Sequence, residues 1–144
     1  MTSDSAYLLT AITLFKLYMQ VKIDTREKFH AITIIESALA ANMTEELEGC
    51  LLPIIEKDVK NVVLILKDIQ SVDNAAAEAL VRIQQAFYDA SASFVICELT
   101  AAVEKSLEDS SLLELMNVTP TESEAWDIIH LEEVERELLN GPDF

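Results

Sequence analysis

A chain of 144 residues with 51% hydrophobic and 25% charged side chains can bury roughly two thirds of its unfolded surface in one domain, so it needs neither disulfides nor a metal to fold. Ten Lys and Arg against 26 Asp and Glu give a formal net charge of −16 at pH 7. A surface of that sign repels phosphate backbones and anionic membrane surfaces, which argues against direct DNA or RNA binding.

Residues 6–15 (AYLLTAITLF) form an apolar run. It is too short for a membrane-spanning helix, which needs about 20 residues. Asp4 stands where a signal peptide carries positive charge, and no small-residue cleavage site follows. Two readings fit residues 1–20. One is an extra helix over an apolar patch, or the product of a misplaced start; the other is an arm for self-association into a homodimer. Either way the segment is an extension of a domain over residues 21–144.

Val21 to Lys28 and Ala31 to Glu36 contain short β-type runs, the second apolar and β-branched (AITII). Asn42, with Glu45 three residues on, has the spacing of a capping box. Leu47, Cys50, Leu51, Ile54 and Ile55 then recur at helical intervals, with Pro53 placed to distort the helix. Asn61 to Leu66 (NVVLIL) is a continuous apolar run, the signature of a strand buried on both faces. Lys67 to Asn74 is polar and turn-like, and Ala75 to Tyr88 is a helix with Asp73 or Asn74 as N-cap. Ser93 to Cys97 (SFVIC) repeats the buried-strand pattern, and Thr100 to Glu108 is helical. Val118 centres a last short strand. Thr121 caps a helix over 122–139 with Glu124 at the capping-box position, an apolar side of Ala125, Ile128, Ile129 and Val134, and a further contact from Trp126. Gly141 and Pro142 stop it. The order β-β-α-β-α-β-α-β-α predicts an α/β domain with a mostly parallel sheet flanked by helices.

Few catalytic options survive. With only Gly49 and Gly141 available, neither a phosphate-cradling loop nor a dinucleotide fingerprint exists. Cys50 and Cys97 read as two buried thiols in a reducing cytosol, although a disulfide between them is arithmetically allowed. His30 and His130 have no Cys or His at metal-ligand spacing. Asp68 and Asp73 have no nucleophile, histidine or phosphate loop beside them. Asp68 is expected to close a strand and orient a turn, and Asp73 to favour a helix N-terminus. Neither an enzyme, a cofactor nor a metal is expected. The charge is uneven: residues 1–72 hold 10 acids and 7 bases, and residues 73–144 hold 16 acids and 3 bases. The acids between Glu122 and Glu137 form a solvated helix face, or else a docking surface for a basic partner.

The segment NVVLILKDIQSVDNAAAEAL (residues 61–80) resembles the centre of the STAS domains, the family of bacterial anti-sigma factor antagonists and of sulfate-transporter tails. Its pattern is an apolar strand, Asp-Leu-Ser, a hydrophobic step, Asp-Ser-Ser-Gly-Leu and a helix. Asp68-Ile69-Gln70 takes the place of the first element, and Val72-Asp73-Asn74-Ala75-Ala76 that of the second. The likeness continues through SFVICELTAAVEKSLEDSSLLELMNVTPTESEAW and covers roughly residues 21–140. It implies a STAS-like mixed sheet flanked by helices.

The departures fall on the switch. Where kinase-switched members carry the phosphorylated serine, this chain has Ala75. Asn74 replaces the serine before it, and Ala76 replaces the glycine. Ser37-Ala38-Leu39-Ala40 replaces the family's Gly-x-Leu-Asp, so the acid at position 40 is missing. Asp73 is retained, and Ser71 lies nearby but off the family position. The resemblance implies a non-catalytic, cytoplasmic interaction module docking through Asp68, Ser71, Asp73, Asn74, Ala75 and Ala76. Its partner would be an anti-sigma factor or serine-kinase-like protein. Two alternatives follow from the same resemblance. The chain could be an accessory subunit of a lipid or anion transporter, or it could bind a small ligand in the cleft beside residues 71–76.

Overall fold

Two four-residue runs with every side chain buried set the plan of the molecule. They are β4 (Val62–Ile65) and β6 (Phe94–Cys97). The computed structural model describes residues 19–139. Before β4 come β1 (Val21–Thr25), β2 (His30–Ile34), β3 (Ala38–Leu39) and helix α1 (Thr44–Leu51). Between and after the two runs lie β5 (Ser71–Val72), α2 (Asn74–Asp89), α3 (Ala101–Asp109), β7 (Val118–Thr119) and α4 (Glu122–Leu139). The main sheet has the order β1-β2-β4-β6-β7, with β1 antiparallel to β2 and all other pairs parallel. β4 and β6 are thus interior strands, as their unbroken apolar character requires.

Alternation along these strands divides the core in two. Ile32, Ile34, Val62, Leu64, Phe94 and Ile96 share one cluster with Leu47 and Leu51 of α1, Leu80, Ile83 and Phe87 of α2, and Val103 and Leu107 of α3. Ala31, Val63, Ile65, Val95 and Cys97 share the other with Ala125 and Ile129 of α4. Cys50 packs against the first cluster and Cys97 belongs to the second, so both thiols are free. His30 is a satisfied core residue. Its Nε2 lies 2.9 Å from the Val59 carbonyl, which can only accept, so Nδ1 accepts from the Thr25 hydroxyl at 3.0 Å.

Several local expectations need correction. β1 occupies the first part of the stretch Val21 to Lys28 and ends at Thr25, where the chain turns back with the Arg26 N–H donating to the Phe29 carbonyl (2.8 Å). Asn42 caps nothing: it lies inside a 3₁₀ turn, Ala41–Met43, and Met43 occupies the N-cap of α1. At Pro53 the expected distortion takes the form of a 3₁₀ segment, Leu52–Glu56, continuing α1. The pair β3 and β5, a separate parallel two-stranded sheet, has no counterpart in the predicted order. Val134 is exposed rather than part of the inner side of α4. The apolar run at residues 6–15, with residues 1–18 as a whole, and the stop at Gly141-Pro142 lie outside the described residues.

α2 and α3 end alike. After each, a serine takes a left-handed backbone, Ser91 with φ 58° and Ser111 with φ 61°. The Ala92 N–H reaches the Phe87 carbonyl (2.8 Å), and the Leu112 N–H reaches the Leu107 carbonyl (3.0 Å), the six-to-one bond of a Schellman motif. A residue with a Cβ costs about 1–2 kcal/mol in that conformation. Glycine relieves this but gives back about 0.4–1 kcal/mol through a freer unfolded chain. Ser111→Gly should therefore raise stability by roughly 0.5–1 kcal/mol in urea unfolding, and a loss of stability would contradict the αL assignment.

Candidate functional site

The carboxyl ends of parallel strands are where α/β sheets present loops for binding. Three segments converge at that edge here: residues 66–74 after β4, residues 98–100 after β6, and residues 120–121 before α4. The Leu66 N–H donates to the Cys97 carbonyl (3.2 Å) and the Glu98 N–H to the Pro120 carbonyl (3.2 Å), joining the three.

The first segment is the most tightly built. Ile69 and Val72 are buried and anchor it to the core, and the Thr100 hydroxyl donates to the Ile69 carbonyl (3.2 Å). The Gln70 N–H donates to the Ser37 carbonyl (2.7 Å), Ser71 and Val72 pair with Ala38 and Leu39, and the Asp73 N–H donates to the Leu39 carbonyl (2.8 Å). Asp73 occupies the N-cap of α2, but its carboxylate does not cap that helix. Instead Oδ2 accepts from the Ala41 N–H at 2.8 Å. The side chain thus ties the start of α2 to the turn that precedes α1.

With the backbone so held, the alternation of anchors leaves Asp68, Gln70, Ser71, Asp73, Asn74 and Ala75 exposed along one edge. Asp68 sits in the turn, where its carbonyl takes the Gln70 amide at 3.4 Å. Ser71 is on β5, and Asn74 and Ala75 open the first turn of α2. Ala76 is fully buried, so it supports this edge from beneath and is no contact residue itself. The structure therefore brings five of the six proposed docking residues to one surface and places the sixth in the core.

Sequence reasoning overlooked the supports. Ser37 and Ala41 act through backbone atoms and leave no trace in residue type. Thr100 is legible as the N-cap of α3, since its hydroxyl accepts the Val103 N–H (3.3 Å), but its second bond across to Ile69 is not. Glu98 has φ 60°, a left-handed conformation that costs a non-glycine residue energy, and such strain is concentrated where loops are functionally constrained. Nothing in ICELT marks it.

An open depression of about 570 Å³ adjoins the edge, lined by Asn74, by Ala102, Lys105, Ser106 and Asp109 of α3, and by Ser110 just after it. Lys105 and Asp109, one turn apart on α3, pair along its wall at 3.5 Å, both exposed. Such a surface pair is worth little and encloses nothing. At the other end of the strands a larger hollow of about 710 Å³ is bordered by Lys28, Asn61, Glu133 and Arg136. There Asn61 already bonds the Lys28 carbonyl (3.1 Å), Glu133 (2.8 Å) and the Ser93 N–H (2.8 Å), which is a structural knot. Among the described residues no group of three His, Cys, Asp or Glu could hold a metal, and no helix is long and apolar enough to cross a membrane.

A family model described as the STAS domain matches residues 20–125. No curated protein matches the chain. Among solved structures, a putative anti-sigma factor antagonist from Thermotoga maritima is 16% identical, with a TM-score of 0.60 over 76% of this chain and 94% of that one. An anti-sigma factor antagonist from Mycobacterium paratuberculosis is 10% identical, with a TM-score of 0.67 over 78% and 94%. The murine solute carrier 26 family member A9 anion transporter is 9% identical, with a TM-score of 0.63 over 90% of this chain and 25% of that one. Identities this low speak for a shared fold alone.

Proposed function

The chain belongs to the STAS domain family, and on that footing we propose that it is a non-catalytic, cytoplasmic interaction module that docks a regulatory protein, of the anti-sigma factor or serine-kinase kind, through the edge from Asp68 to Ala75. The observation that carries this reading is the exposed edge itself. Its backbone is fixed by β3, by the Asp73–Ala41 bond and by Thr100, while its side chains carry no nucleophile–base pair. Rigid backbone under exposed, chemically quiet side chains suits recognition, because little entropy is lost on docking.

Ala75 sets the regulation. It is exposed in the first turn of α2, and it has no hydroxyl where the family resemblance places the phosphoacceptor. A serine kinase therefore has nothing to modify there, and the module stays in one charge state. Incubation of the full chain with ATP and a kinase of that class should leave residues 71–76 without phosphate, whereas Ala75→Ser should accept it. Phosphate on Ser71 of the natural sequence would move the switch rather than remove it and would sink the constitutive reading.

The docking claim is tested separately. A photo-crosslinking side chain at position 75 should capture a partner protein, and one at Tyr88, near the far end of the same helix, should not. Equal capture from both positions would overturn the assignment of the edge. A second reading makes the partner a membrane transport component, and the similarity of 90% of this chain to part of an anion transporter favours it. The identity of the captured protein separates the two.

A further inference from the structure

α4 has two apolar faces, and the fold uses only one. Ala125 and Ile129 are buried against the sheet, with Trp126 and Ile128 half-buried beside them. On the opposite side of the helix Leu131, Val134 and Leu138 are 56%, 38% and 79% exposed. Their spacing of three and then four residues aligns them in one stripe. The same line runs back through Asp127 and Glu124, and Glu135 and Glu137 border it; all four acids are exposed. A helix lying on a single sheet needs one apolar stripe, so a second one in water implies a partner.

We propose that the outer face of α4 docks a basic amphipathic helix of another protein. Charge selects this occupant. A second copy of the same helix would bring Glu124, Asp127, Glu135 and Glu137 against their like, which disfavours pairing. The apolar segment at residues 6–18 of this chain has Lys16 as its one basic residue and could cover the leucines without answering the acids. A helix with apolar side chains at three- and four-residue intervals and Lys or Arg beside them answers both. The negative half of the chain, 16 acids to 3 bases over residues 73–144, would also steer such a partner in at low salt. This surface is independent of the edge at Asp68–Ala75, since α2 and α4 lie on opposite faces of the sheet.

The test uses the full chain and a labelled synthetic peptide of about 18 residues, near five helical turns, with leucines in one stripe and lysines elsewhere. Fluorescence anisotropy should show binding that weakens steeply between low and physiological salt. A scrambled peptide of the same composition should bind at least about tenfold more weakly, and so should the intended peptide to the Leu131→Ser/Leu138→Ser variant. Both leucines are exposed, so that variant should keep its circular dichroism and its melting point. Ile23→Ser, on the exposed side of β1, should change nothing. Equal binding of the scrambled peptide would reduce the effect to bulk charge and overturn the proposal. So would undiminished binding by the double variant, no binding at all, or a dimer in sedimentation that the double variant dissolves.

Discussion

Phe87→Ala should lower the unfolding free energy by about 3–5 kcal/mol, the range for emptying a fully buried aromatic site. Phe87 is 0% exposed, and its ring lies 5.1 Å from that of Phe94, centroid to centroid, tilted by 39°. That geometry adds an aromatic pair to the area buried. The backbone carbonyl of the same residue accepts the Ala92 N–H, a bond that alanine at position 87 retains, so the loss is one of side-chain packing. For a domain whose total stability is about 5–15 kcal/mol, this is a large fraction. Tyr88 is the internal control, one position along and 77% exposed. Tyr88→Ala should stay within about 0.5 kcal/mol of the parent in urea unfolding. A Phe87→Ala cost below that of a single methylene, about 1 kcal/mol, would mean that α2 is not seated on β6. Because α2 also carries Ala75 at its start, the variant further tests how firmly the docking edge depends on the far end of its helix.

The contrast between these neighbouring residues explains why some of the fold was legible in the sequence. NVVLIL and SFVIC declare themselves because a strand covered on both faces can afford no polar residue on either side. α2 declares itself because Ala76, Leu80, Ile83 and Phe87 return to the core at helical spacing. β3 and β5 do not, since a two-residue strand has no period to detect. They are specified by the backbone bonds of Ser37, Leu39, Gln70 and Asp73, which any residue type but proline could make. Asn42 misled for a related reason. A capping box needs its first residue to stand just outside the helix, and the 3₁₀ turn consumes Asn42 before α1 begins.

The candidate edge was legible by resemblance rather than by periodicity. Asp68 to Ala75 contains no cluster whose chemistry would single it out, and the structure adds what holds it rather than what it does. Asp73 shows the difference. Read alone it is a helix N-terminal acid, yet its carboxylate is spent on Ala41, 32 residues earlier. α4 shows the reverse case. Its sequence offers two apolar stripes; the small Ala125 lets one approach the sheet, and Val134 belongs to the other. Periodicity finds stripes, but only packing says which of them is covered.

Cys97 turns the second core cluster into a source of alkaline sensitivity. It is fully buried beside Val63, Val95 and Ala125, and burial pushes its thiol up to about 12 from the ordinary 9.0, with the Glu98 and Glu122 carboxylates adding to the shift. The folded state therefore holds this proton more tightly than the unfolded chain does. Below pH 9 both states keep it and the stabilisation is complete; between pH 9 and 12 the unfolded chain loses it first, and stability falls as pH rises. The slope from this one group is about 1.4 kcal/mol per pH unit, and the whole window amounts to roughly 4 kcal/mol. Lysines and tyrosines also titrate there, so the useful quantity is a difference. Cys97→Ala should start less stable by about 1 kcal/mol near pH 8 because a small void replaces the sulfur. Its deficit should then shrink and reverse as pH climbs, as the variant has no thiol to ionise. Urea unfolding of both proteins under reducing conditions at intervals from pH 8 to about 11 reads this directly. Parallel curves would show that the Cys97 proton is held no more tightly in the fold than outside it.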